Sequence, residues 1–96
     1  MKITNKHYGN LTLSTDLEMA GLLSGDLIVS YGCTALVSGI VAGRIYVESG
    51  GRLLLNGSAL SGVTNRGGRV EIYGVVNGGL EEVSGETVIS SRAVIR

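Results

Sequence analysis

Gly50-Gly51-Arg52-Leu53-Leu54-Leu55-Asn56-Gly57 and Gly67-Gly68-Arg69-Val70-Glu71-Ile72-Tyr73-Gly74 are one pattern written twice. A third copy, Gly32-Cys33-Thr34-Ala35-Leu36-Val37-Ser38-Gly39, precedes them. Each has a glycine, six residues, a second glycine and then a short, mostly apolar step such as Ile40-Val41 or Val75-Val76. The frame extends outward to Ser14–Gly21 on one side and to Gly85–Arg92 on the other. The anchors Ser14, Gly32, Gly50, Gly67 and Gly85 therefore stand 18, 18, 17 and 18 residues apart. A further segment precedes each anchor, as in Gly25–Tyr31 and Gly43–Ser49.

Superposing the repeats produces columns. Three residues after the anchor stand Leu17, Ala35, Leu53, Val70 and Val88; five after it stand Met19, Val37, Leu55, Ile72 and Ser90. Nine after it come Leu23, Val41, Ala59, Val76 and Val94, and in the preceding segment Leu27 and Val29 match Ile45 and Val47. Apolar residues two apart mark the inward face of a strand. Each repeat thus carries three short strands, none of which can bury its apolar face alone. A period in this range signals a stacked repeat architecture.

Three strands per repeat with glycine at the bends describe a coil of a parallel β-solenoid. At about 3.3 Å per residue such a coil has a perimeter near 60 Å, which closes as a triangle around one narrow core. The expected fold is all-β: about five coils spanning residues 1–96 as a single domain, right-handed because the strict hexapeptide signature of the left-handed triangular helix is missing. The chain has no Pro, which would break a ladder bonded on both sides, and no Phe or Trp, which a narrow core has no room for. An antiparallel sandwich would also give short strands and turns, but not a fixed period with matching columns.

The runs Val47–Gly57 and Asn65–Gly79, read with their small apolar steps, resemble the glycine-rich repeats of self-associating autotransporter adhesin passengers and the polymerising cores of bactofilins. That resemblance implies a non-catalytic, self-associating bacterial protein.

Composition narrows the function classes. Lys plus Arg and Asp plus Glu number eight each, so no net charge recruits nucleic acid or an anionic membrane. One His and one Cys do not make a zinc site, and Cys33 has no disulfide partner. The acidic residues read as solvated faces and no glycine stretch fits a phosphate-binding motif, so no catalytic residue, cofactor or metal is expected. The N-terminus lacks the apolar stretch of a secretory signal, and the expected compartment is the cytoplasm. His7 reads as an exposed residue ahead of the first strand.

What remains is surface. Four residues after the anchor the outward column reads Glu18, Leu36, Leu54, Glu71 and Ile89, and four before it Asn10, Ile28 and Tyr46. Leu36, Leu54 and Tyr46 form an apolar stripe of the kind that marks partner sites. The ends of the solenoid are the second candidate, since uncapped strands invite pairing; Leu11, Leu13, Val94 and Ile95 are the residues placed there. The partner is expected to be a protein, either a second copy in a homo-oligomer or a cognate partner. An alternative reading is an immunity protein that neutralises a toxin through a lateral face carrying Arg44, Arg52, Arg66 and Arg69. Arg52 and Arg69 share an outward position, and stacking like charges there is unfavourable unless Glu71, Glu48 or a partner's carboxylate intervenes.

Overall fold

A computed structural model describes all 96 residues, Met1 to Arg96. It contains strands and turns but no helix. The strands are β1 (Lys2–Ile3), β2 (Lys6–His7), β3 (Leu11–Thr12), β4 (Leu17–Met19), β5 (Leu22–Leu23), β6 (Leu27–Val29), β7 (Thr34–Val37), β8 (Ile40–Val41), β9 (Ile45–Val47), β10 (Arg52–Leu55), β11 (Ser58–Ala59), β12 (Val63–Ile72), β13 (Val75–Val76), β14 (Leu80–Ile89) and β15 (Val94–Ile95). All ladders are parallel, and each joins a strand to its counterpart one coil away. The protein is a β-solenoid.

Three stacks of strands run along it. The first is β1-β4-β7-β10 followed by the second halves of β12 and β14. The second is β2-β5-β8-β11-β13-β15. The third is β3-β6-β9 followed by the first halves of β12 and β14. In these two long strands the corner between the third and first stacks is spanned by extended backbone, with shifts in register at Asn65/Arg66 and Arg66/Arg69.

The core is the set of inward positions the period predicts. Leu17, Ala35, Leu53 and Val70 pair in register and are 0–2% exposed. Met19, Val37, Leu55 and Ile72 form the neighbouring stack, and Leu23, Val41, Ala59 and Val76 the one on the second set of strands. All belong to one cluster of 19 buried apolar residues. Burial of each large side chain contributes roughly 1.5–3 kcal/mol.

The two glycines of the motif do different jobs. The first, Gly32, Gly50, Gly67 and Gly85, turn the chain with φ between 76° and 132°, where a Cβ is strained. The second, Gly39, Gly57 and Gly74 together with Gly21, make the corner from first to second stack. There a Cβ would overlap the carbonyl oxygen of the residue one coil below: Asn5 under Gly21, Gly21 under Gly39, Gly39 under Gly57 and Gly57 under Gly74.

The structure corrects the expected register at both ends. Val70 pairs with Thr87, not Val88, and Ile72 with Ile89, not Ser90. On the second stack Val76 pairs with Ile95, so Ile95 points inward and Val94 outward. On the first stack the reason is that Gly85 packs on the Gly68 carbonyl, which makes this step one residue shorter than the spacing from Gly67; on the second it is the corner from Ile89 to Val94, two residues longer than that from Ile72 to Val75. At the other end Thr12, not Asn10, aligns with Ile28, because the corner from Leu13 to Leu17 is two residues shorter than the corner from Val29 to Ala35. The pattern also begins earlier than the anchors indicate. Lys2 and Ile3 pair with Glu18 and Met19, and His7 lies in β2 against Leu23, half-buried.

Candidate functional site

The four lateral arginines are engaged within the chain. Arg44 donates from Nε to Thr64 Oγ1 at 2.7 Å and from a terminal nitrogen to the Ser61 carbonyl at 2.9 Å. Its own backbone N–H donates to Asp26 Oδ1 at 2.8 Å, and the Asp26 N–H in turn to Asn10 Oδ1 at 2.8 Å, so this corner is laced coil to coil by side chains. Arg66 reaches Glu48 at 3.3 Å, and its guanidinium lies 4.6 Å from the centroid of the Tyr46 ring.

Arg52 and Arg69 occupy the same outward position on consecutive strands. Glu71 lies between them, its Oε2 at 3.3 Å from each. Arg69 also pairs with Glu86, and the Tyr73 hydroxyl donates to Glu71 Oε1 at 2.9 Å. The hydrogen bond from Tyr73 and those from Arg52 and Arg69 hold the Glu71 carboxyl below its usual 4.5. The same contact pushes the Tyr73 hydroxyl above its usual 10.0. The carboxylate that stacked arginines require is thus supplied by the chain itself.

Leu36 and Leu54 sit side by side on the outward first stack, between Glu18 and Glu71, and Ile28 adjoins Tyr46 on the third. All four are half-buried. They lie on different stacks and do not merge into one stripe. Beside them, the glycine corner leaves an open groove of about 800 Å³ bordered by Thr4, Lys6, Leu22, Ile40 and Ser58. Gly21, Gly39 and Gly57, which carry no side chain, form its floor. No group of three or more His, Cys, Asp or Glu side chains converges anywhere, and no helix is long and apolar enough to cross a membrane.

The ends differ from the lateral faces. The last coil exposes Val83 (65%), Val88 (41%), Ile89 (49%), Val94 (39%) and Ile95 (37%). Ile89 and Ile95 continue the buried stacks of Ile72 and Val76, and no further strand covers them. At the opposite end Ile3 and Leu11 pack half-buried on the core, while Leu13 is buried and offers no free surface. β1, β2 and β3 each have a ladder partner on one side only.

One buried polar group escaped the sequence reading. Asn65 continues the inward stack of Val47 yet is 0% exposed. Its Oδ1 accepts from the N–H groups of Gly67 (3.1 Å) and Gly68 (2.9 Å). Its Nδ2 donates to the carbonyls of Gly68 and Glu86 and to Thr87 Oγ1. It satisfies the corner and ties the fourth turn to the last. The run Asn65-Arg66-Gly67-Gly68 is the only trace of this in the sequence, and an Asn just ahead of a glycine pair reads first as a turn.

Comparison with protein-family models gives no match, and neither the curated proteins nor the solved structures provide one.

Proposed function

We propose that this chain is a non-catalytic protein–protein interaction module that associates with copies of itself through the ends of its solenoid. The observation that carries the reading is the pair Ile89 and Ile95, core positions by register but 49% and 37% exposed. Uncovered core stacks and unpaired strand edges are together what strand addition satisfies. The lateral alternative has less support, since Arg44, Arg52, Arg66 and Arg69 already have acceptors within the chain. The compartment that fits is the cytoplasm, where the single thiol, Cys33, stays unpaired and buried.

Sedimentation velocity across a range of concentrations tests the proposal. The wild type shifts to larger species as concentration rises. Ile95→Arg, which places a charge where an apolar side chain would be covered, forfeits at least ~1.5 kcal/mol per contact and weakens association about tenfold or more. A wild type that remains monomeric at all concentrations refutes it.

A further inference from the structure

Resting on the reading just given, we infer that the association is head to tail: the last coil of one copy seats on the first coil of the next, so that assembly is polar and open-ended. Geometry allows it because each end presents one strand from each stack. These are β1, β2 and β3 at the start, and the two halves of β14 with β15 at the finish. Continuing the observed registers across the seam places Lys2 and Ile3 over Val88 and Ile89, Lys6 and His7 over Val94 and Ile95, and Leu11 over Leu80.

Charge selects this arrangement over the two symmetric ones. The first coil carries Lys2 and Lys6 and no acidic residue through Leu13. β14 carries Glu81, Glu82 and Glu86, all exposed, with Glu86 already paired to Arg69; Arg92 and Arg96 follow, so the last coil keeps one acidic side chain in excess. Joining two first coils would bring two net-positive ends together and joining two last coils two net-negative ones, whereas head to tail brings opposite signs together. Like charges directly opposite across strands are destabilising.

In the core stacks His7 continues the stack of Leu23 and Glu82 that of Asn65, so across the seam His7 falls over Ile95 and Glu82 meets Leu13. Head to tail, each seam receives one copy of Glu82, whereas two last coils would bring two copies into a single layer. The glycine corner behaves likewise. Asn5, the one residue of that corner stack ahead of the glycines, meets Ser90–Ala93, the corner from Ile89 to Val94 that is two residues longer than that from Ile72 to Val75.

Single-cysteine variants Lys2→Cys and Val88→Cys, both at exposed positions and both made with Cys33→Ser, are mixed and oxidised. Circular dichroism first checks that each keeps its fold. Thiols held in one seam meet at an effective concentration of roughly millimolar. The mixture should therefore give at least about tenfold more covalent dimer than either variant alone, and the double variant a ladder of covalent multimers. Dimers of Val88→Cys alone, formed as readily as the mixed species, would overturn the polarity while leaving self-association in place. Monomeric sedimentation with no cross-linked product in any sample would overturn both.

Discussion

Gly39 lies so close over Gly21 that a Cβ on Gly39 would overlap the Gly21 carbonyl oxygen, and the relation recurs where Gly57 overlies Gly39 and Gly74 overlies Gly57. The obstruction is backbone, which cannot rotate away as a side chain can. Gly57→Ala should accordingly cost about 3 kcal/mol or more in urea unfolding, at the upper end of overpacking penalties. Gly32→Ala meets nothing within 4 Å and pays only for its φ of 76°, about 1–2 kcal/mol. Equal losses at the two sites would contradict the close-approach account.

Leu53 is fully buried between Ala35 and Val70, whereas Leu54, next to it, is half-buried on the outer surface. Leu53→Ala should destabilise by roughly 2–5 kcal/mol, with the cavity adding to the lost transfer energy. Leu54→Ala should cost only about 1 kcal/mol, in keeping with its smaller buried area. Denaturant midpoints of the two variants give the comparison directly.

Asn65→Leu replaces a buried amide with an apolar side chain of similar size and still should destabilise. The N–H groups of Gly67 and Gly68 would lose their acceptor, at about 1–3 kcal/mol for each that no water reaches. Hydrogen exchange should show the Gly67 and Gly68 amides opening before the ladders around them. A variant as stable as wild type would mean that the asparagine only fills space.

The inward stack from Leu17 to Val70 was legible because it rests on side-chain alternation, which survives small changes in coil length. The last coil was not, because Gly67-Gly68 offers two anchors and counting from the first gives 18 where the ladder, with Gly85 over Gly68, gives 17. One residue of slip inverts a strand, which is why Val88 falls outside and Ile89 inside; the corner from Ile89 to Val94, two residues longer than its counterpart, then shifts the next strand one residue the other way, leaving Val94 outside and Ile95 inside. His7 and Asn65 were missed for a shared reason: a polar residue in an inward stack looks like a break in the pattern, and only tertiary partners show that it continues. That a carboxylate should intervene between Arg52 and Arg69 was readable, but not which one: Glu71, Glu48 and a partner's carboxylate all fitted the sequence, and only the contacts single out Glu71. Nothing in the sequence distinguished Leu13, buried, from Ile95, open, because that depends on what covers each coil.

Glu71 makes stability acid-sensitive. Its carboxyl titrates below its unfolded value, so its contribution is present above the unfolded pKa and is lost as pH falls through the lower folded value. The stability difference between wild type and Glu71→Gln should therefore favour wild type near about pH 6 and close by about pH 3. Urea titrations at several pH values measure it. A difference that widens toward acid would reverse the sign and contradict the assigned hydrogen bonds.

The claim that the uncovered coils at the two ends are the association surface is tested most directly by amide hydrogen exchange at low and high protein concentration. The account predicts that Lys2–Thr12 and Leu80–Ile95 exchange more slowly as concentration rises, while the central strands β7 to β10 are unchanged. Exchange independent of concentration, or new protection confined to the lateral residues Leu36, Tyr46 and Leu54, would contradict it.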